Sequence, residues 1–265
     1  MIRKGIIDFH THAFPDGVAA RAIPALEQTG NVTAYTDGTS RGLLASMDRA
    51  GIEKSVICSI ATRVEQFQPI LDWSNQVRSS RLIPLPSIHP EDPDLADHVK
   101  TVKEQGFAGI KMHPYYQDFF LAENRLDGLY RSVIEHGLLL VVHSGFDIAY
   151  PRIRRTDPEQ VIRVLNKFPE LRLITTHLGG WDDWDEVERL LIGRPVYMEI
   201  SFALDFLSSR QARNLIQAHP ADFILFGSDS PWVDQAQYLQ KLQDLVLNKE
   251  LYEKIVRKNA EGLLT

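Results

Sequence analysis

Short apolar runs and amphipathic stretches take turns along almost the whole chain. The first run, Gly5-Ile6-Ile7, follows the basic pair Arg3-Lys4 and reads as a buried strand ending in Asp8-Phe9-His10-Thr11-His12. Residues 13–39 then carry Pro15, Gly17, Pro24, Gly30 and Gly38, which predicts a long connection of the kind that serves as a lid or binding loop. Ser40 is placed to cap a helix through Ala50, with Leu43, Leu44 and Met47 on one face and Gly51 as its stop. Further on, the pattern predicts strands at 54–60, 82–88, 107–112, 138–142, 171–176, 196–200 and 223–226. Helices are predicted between them at 65–78, 93–105, 126–135, 157–167, 183–191 and 208–218, and two more at 235–247 and 249–259 close the chain.

Strand alternating with helix implies right-handed βαβ units and a parallel sheet, and eight such units close a barrel. The expected fold is therefore α/β, a single (β/α)8 TIM-barrel domain over residues 1–265 with an extra C-terminal helix. An open doubly wound sheet is the competing architecture, but no G-x-G-x-x-G turn opens a helix here. No internal repeat or low-complexity linker marks a second domain.

Composition narrows the class. Charged residues make up 24% and hydrophobic ones 44% of the 265 residues, near the globular average, so a sizeable core is expected. The formal net charge of -6 argues against a nucleic-acid surface. Cys58 lies in the apolar run Val56-Ile57-Cys58-Ser59-Ile60, has no second cysteine to pair with, and is expected in the core. No signal peptide precedes the first strand and no apolar run approaches the ~18 residues of a membrane span, so the expectation is a cytoplasmic protein with no membrane partner.

The polar residues supply the chemistry. Of nine histidines, His10, His12, His89, His113, His143 and His177 fall at or just past the ends of predicted strands, which in a barrel converge on the mouth where active sites lie. His98, His136 and His219 fall on helices and are expected to be solvated or capping. Side chains alternate along a strand, so Asp8, His10 and His12 are expected on one face: two imidazoles beside a carboxylate, a set that holds zinc or another divalent ion. An isolated His-x-His has a second reading, with one ring bonded to the backbone and the other solvated. After the eighth strand, Phe226-Gly227-Ser228-Asp229-Ser230-Pro231 places an acid between small residues that let a ligand approach.

Asp8-Phe9-His10-Thr11-His12 is followed in order by Gly109-Ile110-Lys111-Met112-His113-Pro114, Val142-His143-Ser144-Gly145, Thr176-His177-Leu178-Gly179-Gly180, Gly227-Ser228-Asp229-Ser230-Pro231 and Asn259-Ala260. Over most of the chain this series resembles the amidohydrolase superfamily, and within it the amidohydrolase-related branch that includes decarboxylases similar to aminocarboxymuconate semialdehyde decarboxylase. The resemblance implies that His10, His12, His143 and Asp229 ligate a metal, and that His177 is either a ligand or a catalytic histidine. In binuclear relatives a carboxylated lysine on the fourth strand bridges two ions, and Lys111 stands in that neighbourhood; in the single-metal branch it would pair with a substrate carboxylate or neutralise the site. The implied cofactor is Zn2+ or another divalent metal, one ion being favoured and two expected if Lys111 is carboxylated. His89 and His113 either orient other site groups or satisfy loop backbone.

For substrate contacts, Arg152, Arg154 and Arg155 could grip an anion, and Tyr115, Tyr116, Trp181 and Trp232 suit a small cyclic or aromatic ligand; Lys111, His113, Arg152 and Trp232 are the candidates carried forward. The expected activity is metal-dependent hydrolysis of a small organic substrate, a lactone, cyclic amide or other ester-like bond. The metal would lower the pKa of its water from about 15.7 to roughly 7. Asp229 would move the proton, and His177 would steady the oxyanion or bind metal. Decarboxylation of an aromatic or enol acid uses the same groups, and a non-catalytic binding protein is a third class. The partner expected is a small molecule, not nucleic acid, with a homo-oligomer left open.

Overall fold

The first apolar run forms β1 (Ile6–Thr11), which carries Asp8 and His10 inside the strand. A computed structural model of the chain describes residues 5–264, so the Arg3-Lys4 flank lies outside the described residues. There follow β2 (Ile52–Cys58), β3 (Leu82–Leu85), β4 (Gly109–Met112), β5 (Leu139–Val142), β6 (Arg172–Thr175), β7 (Tyr197–Glu199) and β8 (Ile224–Leu225). All pairings are parallel, in ladders β1-β2-β3 and β4-β5-β6-β7-β8. Single backbone bonds stitch the two seams: Lys111 N donates to Pro86 O (2.9 Å), Phe9 N to Phe226 O (2.7 Å) and Asp229 N to His10 O (2.8 Å). The closed sheet is the expected (β/α)8 TIM barrel.

The connection over residues 13–39 is not the loop its prolines and glycines predict. It contains α1 (Asp16–Gly30), with Pro24 inside the helix and Asn31 at φ 50° ending it. An apolar stripe repeating at helical spacing outweighs the single missing backbone bond. Next comes α2 (Ser40–Ala50), capped by the Thr39 hydroxyl, which accepts from Gly42 N at 3.0 Å, rather than by Ser40. The outer layer continues with α3 (Phe67–Val77), α4 (Leu95–Glu104), α5 (Asp127–Glu135), α6 (Pro158–Lys167), α7 (Trp184–Leu190), α8 (Ala203–Phe206), α9 (Ser209–Ala218) and α10 (Gln235–Asp244).

The last predicted helix is divided. α11 (Lys249–Glu253) passes through a π-helical segment (Lys254–Lys258) into α12 (Asn259–Leu263), and the loosened turn lets Ile255 O accept from Phe226 N at 2.9 Å. Ala260 and Leu263 of α12 then pack with Ile7, Val141, Ile174 and Leu225 inside the barrel, closing the end opposite the histidines. Asn259 Nδ2 donates to Ala221 O and Ile224 O, both at 2.8 Å, and anchors the plug to the start of β8. Cys58 is buried in this interior, as expected. Of the helix histidines, His219 is buried rather than solvated and bonds Val196 O at 2.9 Å. Among the described residues no helix is long and apolar enough to cross a membrane.

Candidate active site

The register of β1 against β2 slips between Asp8 and Thr11. Such a slip re-aims side chains, and it overturns the alternation that put Asp8, His10 and His12 on one face. Asp8 instead faces Ser228 and Gln235, accepting from Ser228 Oγ (2.6 Å), Gln235 Nε2 (2.8 Å) and Ser228 N (2.9 Å). Burial pushes its carboxyl up to about 7 against the pull of those donors. Its work is to tie β1 to β8 and α10.

His10 and His12 both keep Nε2 for the site. His12 Nδ1 donates to Cys58 O at 2.8 Å and His10 Nδ1 to Glu199 Oε1 at 2.9 Å, which leaves the lone pair of each ring on Nε2. Opposite them, Asp229 Oδ1 lies 3.1 Å from His12 Nε2 and 3.5 Å from His10 Nε2, yet has no hydrogen bond. Burial works to raise the Asp229 carboxyl, but His10 and His12 beside it hold it well below the usual range, so it is ionised at neutral pH. Burial and the Lys111 ammonium hold His10 well below the ordinary imidazole value. Two imidazole nitrogens and a carboxylate oxygen thus converge, with mutual distances within 4.8 Å. Electron-pair donors left facing one another are a cradle for a divalent cation, and this set fits one.

A second donor pair lies beside the first. His143 Nε2 bonds Phe146 O at 2.9 Å and His177 Nδ1 bonds Ser201 O at 3.1 Å, so each outer nitrogen carries the hydrogen. The inner nitrogens, His143 Nδ1 and His177 Nε2, then meet at 3.0 Å with lone pairs on both sides, a contact that calls for a proton or a metal between them. Burial, with the neighbouring His113, holds His143 well below the ordinary imidazole value, which disfavours the proton on that ring. His143 also clusters with His113 and Asp147: its ring stacks on His113 at 4.1 Å, and Asp147 Oδ2 lies 3.4 Å from His113 Nε2.

Lys111 is fully buried and its Nζ donates to His10 Nε2 at 3.3 Å, so it occupies the lone pair that a metal would use. Glu199, at the end of β7, organises both halves: besides His10 it accepts from His177 N (3.0 Å), Ser201 N (2.6 Å) and Ser201 Oγ (2.8 Å). Burial raises its carboxyl against those donors. Sequence reasoning passed over Glu199; the signal available was an acid inside the apolar run Val196 to Ile200. Gly227 makes room for it, since an added Cβ would collide with the Glu199 carboxylate. Asp229 and His177 both hold left-handed backbone, φ 70° and 58°, a conformation that costs energy and gathers at functional sites.

These groups open into a cavity of about 540 Å³ that His10, His12, Lys111, His113, His143 and His177 line together with Asp229. Tyr116, Trp181 and Trp232 line it as expected, while Tyr115 turns its hydroxyl to Ile153 O. Arg152 does not reach it. Its guanidinium stands at the surface, stacked 3.9 Å over the Phe146 ring and paired with Asp182; Arg154 pairs with Asp183 and Arg155 with Asp118. Each arginine of the loop is paired with a nearby acid, and none of the three lines the cavity. His89 is also outside the cavity, its Nδ1 accepting from Glu91 N at 3.2 Å, so it satisfies loop backbone.

The family model described as amidohydrolase matches residues 7–265. The chain belongs to the amidohydrolase family. Comparison with curated proteins found no match. Among solved structures, an uncharacterised TIM-barrel protein from Bordetella bronchiseptica is similar at 22% identity and TM-score 0.81, over 98% of each chain. A 5-carboxyvanillate decarboxylase from Novosphingobium aromaticivorans, solved with bound manganese, shares 15% identity at TM-score 0.69, covering 98% of this chain and 97% of that one. A putative 2-pyrone-4,6-dicarboxylic acid hydrolase from Pseudomonas putida shares 14% at TM-score 0.68, with the same coverage. At these identities the structural likeness speaks for the fold. The amidohydrolase is thus an enzyme-family barrel whose neighbours include both decarboxylases and hydrolases, and its site offers donor atoms suited to a divalent metal.

Proposed function

We propose that this amidohydrolase is a metal-dependent hydrolase of a small organic substrate with a lactone, cyclic amide or other ester-like bond. The observation that carries the reading is the orphaned Asp229 Oδ1 facing the Nε2 lone pairs of His10 and His12. Those three residues would hold the ion, zinc or another divalent metal, with His143 and His177 as the adjoining pair. Bound there, it supplies Lewis acidity, which polarises a carbonyl and acidifies water. Asp229 accepts the proton of the attacking water and passes it to the leaving oxygen, or to the nitrogen of a cyclic amide. His177 steadies the developing oxyanion or joins the ligands of the ion. Glu199 keeps His10 in the required tautomer, and Trp232 and His113 bound the space in which the substrate turns.

Among the described residues no arginine lines the cavity and Lys111 is its one lysine, so apart from a bound ion an anionic substrate would have Lys111 alone to hold it. The test is a screen of the metal-loaded protein against lactones and hydroxylated aromatic acids, reading acid release and CO2 release side by side. Acid release that a chelator abolishes supports the hydrolase. CO2 release without acid release replaces it by a carboxy-lyase using the same groups.

A further inference from the structure

Besides the polar groups, the cavity of about 540 Å³ is lined by a set of apolar residues that form an apolar arm. One wall is α1, which turns Val18, Ala22, Ala25 and Leu26 into the cavity at a spacing that forms a single stripe. The lining also includes Ile60, at the exit of β2, and Pro69, Ile70 and Trp73 on α3. None of these eight apolar residues is buried. Val18 is 39% exposed, and Ile148, whose Cγ2 approaches Gly30 at the end of α1, is 45% exposed although both line the cavity. The charged side chains of the two helices, Asp16, Arg21 and Glu27 on α1 and Asp72 on α3, are absent from the lining. An apolar cleft left open to water beside a polar reacting centre gains free energy when an apolar ligand fills it.

We propose that this arm is the binding site for an uncharged alkyl tail, so that the substrate is a lactone or ester whose reacting head sits among His10, His12, Lys111 and Asp229 while the tail lies between α1 and α3. The choice of a hydrolysable head rests on the function proposed above; the tail site rests on the arm alone. The acidic and cationic groups of the cavity, Asp147, Asp229 and Lys111, all belong to its polar end, so a tail bearing a carboxylate would lose its hydration in the arm without finding a partner. The arm therefore selects for neutral chains as well as long ones.

The metal-loaded protein is assayed with γ-lactones bearing methyl, butyl and octyl tails, and with an ω-carboxyl form of the longest. The expected result is a kcat/KM that rises by up to about fourfold per added methylene and falls steeply for the carboxylated tail. In Val18→Asp and Ala25→Trp, both at exposed positions where the fold tolerates change, the ratio of octyl to methyl kcat/KM collapses. Equal turnover of all tails overturns the arm while leaving the hydrolase intact. If no lactone is turned over, calorimetric binding of an octyl-substituted lactam decides the question alone: binding that Ala25→Trp abolishes supports the arm without the hydrolase, and absence of binding overturns it.

Discussion

Glu199 Oε1 accepts a 2.9 Å hydrogen bond from His10 Nδ1, and both residues are buried beneath the mouth of the barrel. That bond fixes which nitrogen of His10 faces the site. In Glu199→Gln the bond can survive but its charge is lost, and partners of this kind typically contribute 10- to 100-fold to metal affinity. A weakening of about that size, read by competition with a chelator, is expected; unchanged affinity would mean that packing alone orients His10.

His10→Ala and His12→Ala each remove one of two convergent lone pairs, so the purified variants are expected to lose most of their divalent metal. Elemental analysis beside the wild type checks this. Full retention in both would remove the proposed centre.

Lys111 competes with any ion for His10 Nε2. Lys111→Met keeps the volume and frees that lone pair, so tighter binding of one ion is expected in a metal titration. A fall in metal count, together with bicarbonate-dependent wild-type activity, would instead show a carboxylated Lys111 bridging two ions.

Asp229→Asn keeps the shape of the side chain and cannot accept a proton near neutral pH. Loss of a positioned acid-base group costs ~10² to 10⁴ in rate, so kcat is expected to fall by that much in samples whose metal content is measured alongside. Turnover within about threefold of wild type with metal retained would show that another group carries the proton.

Cys58 sits in the barrel interior, and burial pushes its thiol up to about 12. Since the thiolate is the nucleophile, almost none is present at neutral pH, and the native protein is expected to resist thiol reagents until denatured. Rapid labelling of the native protein would show that the interior opens.

The alternation of apolar runs and amphipathic stretches determined the barrel, because strand and helix periods are local properties of the chain and eight repeats have one closed solution. The strand-end placement of His10, His12, His113, His143, His177 and Asp229 was legible for the same reason, and the structure brings all six to one cavity. α1 was masked by Pro24 and the flanking glycines, which read as loop signals although the apolar residues between them repeat at helical spacing. The direction of Asp8 followed from a register slip that no single strand encodes, as register is a property of two strands together. Arg152 pairs with Asp182, thirty positions along the chain, and Glu199 reaches His10 across the barrel. Charge pairing over such separations depends on which loops and strand ends meet, so only the tertiary structure decided that the arginines leave the site and that a buried glutamate organises it.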